Sequence, residues 1–133
     1  MTQATVGYAL ARTLDLSYEE VDARVRDELQ KEGFGVLTEI DVKETLKQKL
    51  DVDFPKYEIL GACNPPLAHQ ALTHEADIGL LLPCNVVVRE LEDGRTMVEA
   101  IDPVKQLSVA ENPALPELAA EVRERMERVI AAV

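Results

Sequence analysis

The C-terminal segment carries a long, one-sided apolar stripe. After the Asn-Pro step at residues 112–113, apolar side chains recur every three or four positions, at Leu115, Leu118, Ala119, Val122, Met126, Val129, Ile130 and Val133. This is the spacing of one face of an α-helix, and it continues for about five turns. A stripe this regular is typical of a helix packed on the protein core rather than of a partner-binding surface. We therefore predict a long, core-packed helix at the C-terminus.

Start and stop signals predict shorter helices earlier in the chain. Ser17 and Glu20 form a capping box, in which the hydroxyl accepts from the free amide three residues on. Gly33 supplies the left-handed residue that ends this helix. A second capping box, at residues 41–44, begins a helix that ends near Leu50. Asn64, followed by two prolines, begins a third helix, whose inward-facing residues we expect to be Leu67, Ala68, Ala71 and Leu72.

The segments between these helices predict a sheet. Alternating and β-branched residues indicate strands at residues 5–10, 34–40, 57–63, 80–91 and 96–101. Residues 92–95, Glu-Asp-Gly-Arg, are a strong hairpin signal between the last two strands. Because the strands follow one another without long crossovers, we expect a largely antiparallel sheet of about five strands with helices packed on one face. At 133 residues the chain fits a single α+β domain over residues 1–133.

Charge and cysteine content narrow the classes of function. The chain has 25 acidic and 14 basic side chains, a net charge of −11, which disfavours nucleic acid and anionic membrane surfaces as partners. No secretory signal is visible, and the longest apolar run, at residues 78–82, is far too short for a membrane helix. Two cysteines in such a chain indicate a reducing compartment. We expect a soluble, cytoplasmic protein.

Four stretches of the sequence together resemble a known family. They occur in the same order as in that family, at residues 33–41, 59–65 (Ile-Leu-Gly-Ala-Cys-Asn-Pro), 81–85 (Leu-Leu-Pro-Cys-Asn) and 102–103 (Asp-Pro). The chain is similar, over nearly its whole length, to the domain-of-unknown-function 302 family of small bacterial and archaeal proteins. The resemblance implies a fold like that of the TATA-box-binding protein, a curved antiparallel sheet with helices. It implies neither DNA binding nor any catalytic residue.

Cys63 is the residue with the clearest chemical potential. It ends a predicted strand one position before a predicted helix N-cap. Free amides and the helix dipole favour negative charge at such a point, which would lower the pKa of the thiol and make the thiolate available. Alternatively, Cys63 is a small apolar residue that fills the corner between strand and helix.

Cys84 can be interpreted in two ways as well. It alternates with Val86 and Val88, so it is expected on their face, in the core. If the third and fourth strands are antiparallel neighbours, however, Cys84 and Cys63 come close together. With His69 from the helix between them, they would form a soft site suited to copper(I) or zinc. The two-residue cysteine spacing of zinc fingers is missing, and no other cofactor is predicted.

Asn64 and Asp102 are the candidates for a ligand pocket. The free amides after Asn64 suit an anion, although helix capping explains the residue equally well. Asp102 with Pro103 most simply ends a strand and starts a turn. The sequence has no Gly-rich phosphate loop, nucleophile elbow, zinc-protease motif or dinucleotide fingerprint.

Three functions therefore stay open from the sequence. The leading one is a small, non-catalytic binding or interaction protein that forms a homodimer, because a curved sheet often leaves one face or edge for a second copy to cover. The second is a thiol-dependent metal, sulfur-transfer or redox site formed by Cys63 and Cys84. The third is an enzyme whose acid–base residues the sequence does not identify.

Overall fold

The computed structural model describes residues 6–133 as an alternation of strands and helices. The strands are β1 (Ala9–Leu14), β2 (Gly35–Asp41), β3 (Tyr57–Cys63), β4 (Cys84–Glu90) and β5 (Thr96–Ile101). The α-helices are α1 (Tyr18–Lys31), α2 (Val42–Leu50), α3 (Pro65–His74), α4 (Pro103–Ser108) and α5 (Pro116–Ala132), with a 3-10 helix at Ala76–Leu81. None of the helices between residues 6 and 133 is long and apolar enough to cross a membrane.

The strands form one open sheet in the order β1-β5-β4-β3-β2. All four neighbouring pairs in it are antiparallel. Helices pack on one face of this sheet. The predicted α+β class, with an antiparallel sheet of about five strands and helices on one face, is confirmed.

The core lies between the sheet and the two long helices. On the sheet side its fully buried residues include Leu60, Val86, Val88 and Val98, and on α1 they are Val21, Val25 and Leu29. All eight residues of the C-terminal stripe are buried as well, so the stripe is core, as predicted. Burying a Val or Leu side chain contributes roughly 1.5–3 kcal/mol to stability, which makes this layer the main support of the fold.

The predicted helix signals act as the sequence indicates. The Ser17 hydroxyl accepts from the Glu20 amide at 3.1 Å, and the Asp41 carboxylate accepts from the Glu44 amide at 2.9 Å. Gly33 follows α1 with a φ of +84°, a conformation that glycine adopts without strain. These caps set the start of α1 and α2 and the direction in which the chain enters β2.

The first strand lies later in the chain than predicted. Its predicted range, 5–10, starts at a residue outside the described part, and Val6 and Tyr8 are exposed and precede β1. The partner strand explains the difference, because β1 pairs along the whole of β5, from Ala9 opposite Ile101 to Leu14 opposite Thr96. The length of β5, rather than local alternation, decides where β1 begins and ends.

The predicted strand at residues 80–91 is also too long. Leu80 and Leu81 belong to the 3-10 helix, and β4 begins only at Cys84. Leu80 is 88% exposed, so an apolar run here does not mark a buried strand. The turn expected at Asp102 is instead the start of α4, since its carboxylate accepts from the Val104 amide at 2.9 Å.

The face of the sheet opposite the helices is called here the open face. Strand register places Tyr57, Ile59, Val87, Arg89 and Glu99 on it, since they alternate with the buried core residues of β3, β4 and β5. Arg89 and Glu99 form an ion pair across β4 and β5, with Nε and Oε1 3.2 Å apart. Besides this pair, the face carries apolar side chains such as Ile59 and Val87 and polar ones such as Asn85.

Candidate ligand cavity

A cavity of about 310 Å³ lies between one end of the sheet and the layer formed by α3, α4 and α5. The end of β3 and the start of β4 form its floor, because these two strand ends are antiparallel neighbours. Its lining consists of Phe34, Leu37, Thr38, Ala62, Cys63, Asn64, Leu67, Ala68, Ala71, Leu72, Leu82, Pro83, Cys84, Pro103, Gln106, Leu107, Leu118 and Val122. The wall is therefore almost entirely apolar.

The cavity opens between β2 and α3. Leu37 on β2 is 67% exposed and Leu72 on α3 is 42% exposed, yet both line the cavity. Side chains that touch both solvent and the cavity mark its mouth. The prediction that Leu72 faces inward with Leu67 and Ala71 is wrong, because the last turn of α3 forms the rim and only its inner residues reach the core.

Gln106 holds the loop that forms one wall of the cavity. Its Nε2 donates to the carbonyl of Pro83 at 3.2 Å and to the carbonyl of Leu81, and its Oε1 accepts from the Cys84 thiol at 3.4 Å. Both ends of the amide are thus engaged within the protein. The sequence does not point to Gln106, because the Asp102-Pro103 step predicts a turn where the short helix α4 carries this residue.

Asn64 lines the cavity but acts as a structural cap. Its Oδ1 accepts from the Leu67 amide at 3.3 Å, and its Nδ2 donates to the Glu32 carbonyl at 3.4 Å. The cap follows from the sequence, since Asn favours the N-cap position and Pro65 suits the first helical position. Both polar atoms of this side chain thus take part in hydrogen bonds within the protein.

Both cysteines line the cavity, and their thiols are less acidic than an ordinary cysteine. Burial, with a smaller contribution from the charge of Cys63, raises the pKa of Cys84 to about 11. Burial also raises the pKa of Cys63, the reverse of the sequence-based expectation. The amide that would have attracted a thiolate at the start of α3 is capped by Asn64, and the surrounding wall is apolar. Both thiols are therefore protonated at neutral pH.

The remaining candidate residues lie outside the cavity. His69 is exposed on α3 and does not line it. Asp102 caps α4, and its Oδ2 lies 3.2 Å from Nε of Arg123. Within residues 6–133 no group of three or more His, Cys, Asp or Glu side chains is placed to hold a metal ion. The structure thus brings Cys63, Cys84 and Asn64 together and leaves His69 and Asp102 apart.

With this geometry established, comparison with known proteins identifies the family. The family model described as "Domain of unknown function DUF302" matches residues 10–133. The chain belongs to the DUF302 family. A crystal structure of an uncharacterized conserved DUF302 protein from Bacillus stearothermophilus is similar to it, with a TM-score of 0.88 and 30% sequence identity over 96% of this chain and 98% of that chain. No curated protein matches the chain.

The segments that resemble the DUF302 family meet around the cavity. Residues 62–64 from one segment and 82–84 from another line it side by side, and Phe34 and Pro103 contribute from the other two. These segments are far apart in the chain and are brought together only by the sheet register and by α4. The pattern that predicted the family therefore surrounds the cavity in this DUF302 protein.

A second group of chemically active side chains lies away from the cavity, between α1 and the sheet. Glu58 on β3 is directed at Asp22 and Arg26 of α1, and its Oε2 lies 3.6 Å from Nη2 of Arg26. Its other oxygen, Oε1, is buried and has no hydrogen-bond partner among the described residues. Sequence reasoning did not single out this group, because the chain has many carboxylates. Only the register of β3 shows that the Glu58 carboxylate is buried.

Proposed function

We propose that this DUF302 protein is a small, non-catalytic binding protein whose cavity takes an uncharged, largely apolar small molecule. The observation that carries the proposal is the apolar cavity of about 310 Å³ with a mouth at Leu37 and Leu72. Its volume falls at the lower end of the range for small-molecule pockets, roughly 300–1,000 Å³. Burial of a ligand's apolar surface supplies the binding energy.

The absence of charged side chains from the described wall supports an uncharged ligand. The lining contains no Asp, Glu, Lys, Arg or His. The side-chain amides of Asn64 and Gln106 both hydrogen-bond within the protein. A charged ligand entering this cavity would lose its water without gaining a partner, which is strongly unfavourable.

The proposal includes a second copy of the chain as the protein partner, in the cytoplasm. On the open face, the paired strand residues carry one positive and one negative charge, Arg89 and Glu99, whereas the whole chain carries −11. Two such acidic chains repel each other over most of their surface, so a face whose charges cancel is where they can meet. The same negative net charge repels the phosphates of nucleic acid, which supports a partner other than nucleic acid.

Titration with N-phenyl-1-naphthylamine, an uncharged apolar probe whose fluorescence rises out of water, tests the cavity. We expect saturable binding of one probe per chain. Ala68→Phe, which places a ring in the cavity, should abolish it. Ala120→Phe is the matched control, because Ala120 is exposed on α5 and does not line the cavity; it should leave binding unchanged.

Two results would contradict the cavity function. One is no saturable binding by the wild type, and the other is equal binding by the wild type and Ala68→Phe. A thermal melt of each variant shows whether the fold is kept, so that loss of binding can be assigned to the filled cavity.

A thiol-dependent function is the second candidate, because one observation favours it. Cys63 and Cys84 both reach the cavity wall, from neighbouring strands.

A further inference from the structure

The two outer strands of the sheet, β1 and β2, are covered to very different degrees. In β1 every residue is buried or half-buried, and the strand is held to α5, where Nη1 of Arg12 donates to the carbonyl of Ala131 at 2.8 Å. In β2 six of the seven residues are exposed. The uncovered edge of the sheet is therefore β2.

The outer side of β2 carries backbone groups that an added strand can pair with. β2 stands at the end of the strand order and pairs with β3. In an antiparallel pair, alternate residues direct their N–H and C=O groups away from the partner strand. Among residues 6–133 no second strand pairs with those outward groups of β2. Extended peptide backbone is the chemical group that matches such a row of donors and acceptors.

β2 lacks most of the features that keep an edge strand from pairing. Natural edge strands are commonly protected by lysine, by proline or by a bulge. β2 contains neither lysine nor proline, and its bulge lies near one end, between Val36 and Thr38, so residues 38–41 run regularly against β3. Leu37 and Ile40 are 67% and 48% exposed. An added strand would remove this apolar surface from water, which is favourable.

The charge of this edge favours a basic partner over a second copy of the chain. The charged residues of β2 are Glu39 and Asp41, both acidic. Arg26 of α1 pairs with Glu39 but is shared with two further carboxylates. Pairing two copies of β2 would bring four carboxylates into adjacent strands of chains that each carry −11, and like charges across a strand pair are destabilising. Lysine or arginine side chains in the added strand would instead be attracted.

We propose that β2 binds an extended, basic peptide segment of a partner protein, which joins the sheet as a sixth strand. Backbone hydrogen bonds to the outer side of β2 hold the segment, and its apolar side chains cover Leu37 and Ile40. Its basic side chains lie beside the carboxylates of β2. The inference goes beyond the cavity function and does not depend on it, although Leu37 and Thr38 also line the cavity.

Fluorescence anisotropy with a labelled peptide of about eight residues, alternating valine and lysine, tests the site. We expect saturable binding of one peptide per wild-type chain. The same peptide N-methylated at two successive central residues keeps its charge but loses a donor on each edge, so it should bind at least about tenfold more weakly. A peptide with glutamate in place of lysine should not bind, because β2 and the whole chain are acidic.

Variants and hydrogen exchange locate the bound peptide. Ile40→Lys places a positive charge on β2 and should weaken binding by about fivefold or more. Ala120→Lys is the matched control, because it adds the same charge on the exposed surface of α5, and it should bind like the wild type. Amide exchange measured by NMR should slow within residues 35–41 when the peptide binds and stay unchanged in β1. A thermal melt of each variant shows whether the fold is kept.

Several outcomes would overturn the inference. These are no peptide binding by the wild type, equal binding of the N-methylated or the glutamate peptide, or equal affinity of Ile40→Lys and Ala120→Lys. Slow exchange of the β2 amides in the free wild type that becomes fast in Ile40→Lys would mean that a second copy covers β2 instead.

Naphthylamine binding, measured on the same samples, keeps this inference apart from the cavity function. Ala68→Phe fills the cavity and should still bind the peptide. Wild type that binds naphthylamine but not the peptide removes only the peptide site, whereas wild type that binds the peptide but not naphthylamine removes only the cavity function.

Discussion

Glu58 illustrates how a single side chain can link stability to pH in this protein. Its side chain is only 12% exposed. Burial, followed by the hydrogen bond and negative charge of Asp22, raises the pKa of Glu58 to about 8. Burial opposes the charge on Asp22 too, but its hydrogen bonds with Glu58 and Arg26 hold its pKa below the usual value. At neutral pH a proton on Glu58 therefore lets the two carboxyl groups share a hydrogen bond.

The raised pKa makes the fold lose stability as pH rises. Below an unfolded-state pKa of about 4.5 Glu58 is protonated in both states, and the pair contributes no penalty. Between that value and about 8 the folded state holds a proton that the unfolded state has released, so the free energy of unfolding falls with pH. Above about pH 8 a carboxylate remains buried beside Asp22, with Tyr18, Glu39 and Asp41 around it and Arg26 as the nearby cation.

Glu58→Gln should remove this dependence. The amide keeps a donor toward Asp22 but does not titrate, so urea unfolding at pH 9 should show the variant more stable than the wild type by about 1–3 kcal/mol. The difference should shrink as pH falls toward 5. Glu124→Gln, an exposed change on α5, is the control. A constant difference between Glu58→Gln and wild type from pH 5 to 9 would show that Glu58 is ionised throughout that range.

At the scale of single elements, the sequence predicts what local chemistry decides. The caps of α1, α2 and α3 and the stripe of α5 depend on residues within a few positions of one another, and all are found where expected. The bounds of β1 and β4 depend on partners distant in the chain, such as β5 for β1. These features could not be read from a local pattern.

In the candidate site, too, some features could be predicted from the sequence and others depend on the three-dimensional surroundings. That Cys63 and Cys84 line one cavity followed from the antiparallel pairing of β3 and β4, which places the end of one strand beside the start of the other. The raised pKa of Cys63 could not be predicted from the sequence. It depends on Asn64, which caps the amide that would otherwise stabilise a thiolate. The exclusion of His69 likewise depends on the rotation of α3 against the sheet, which places Leu67 and Ala71 inward and His69 outward.

Gly61 is required by the close approach of three elements beside the cavity. A Cβ at this position would overlap Oγ1 of Thr38 on β2 and lie 2.9 Å from Cγ of Pro83. Gly61→Ala should therefore destabilise the protein by about 1–3 kcal/mol, the usual range for overpacking. Urea unfolding measures the effect. Thr38→Ala in the same chain should restore part of the loss, because it removes the overlapping oxygen.

Gly35→Ala is the matched control for this prediction. Gly35 also lies in a paired strand, but a Cβ there would meet nothing within 4 Å. Equal effects of Gly61→Ala and Gly35→Ala would mean that loss of glycine in a strand, rather than crowding at Thr38 and Pro83, sets the change in stability.

For the whole molecule, the main consequence of the fold is that its two sheet faces have different roles. The helix side is covered by α1 and α5 and ends in the cavity, whereas the open face presents Val87 between Ile59 and Glu99 of the neighbouring strands. In a two-fold symmetric dimer the same patch meets itself, so a residue near its centre is repeated across the interface. A charge placed there is opposed by its own copy, which makes Val87 a sensitive position for the proposed dimer.

Val87→Glu should therefore convert a wild-type dimer into a monomer. The substitution adds one negative charge per chain to a face that is otherwise neutral, and the two new charges would lie close together in an apolar interface. Size-exclusion chromatography with light scattering at tens of micromolar gives the mass directly. Ala120→Glu adds the same charge on the exposed surface of α5 and should leave the dimer intact.

Because the cavity lies on the helix side of the sheet, probe binding per chain should survive in the Val87→Glu monomer. A monomeric wild type would disprove the dimer while leaving the cavity function untouched, and loss of both dimer and probe binding would show that the cavity depends on the second copy.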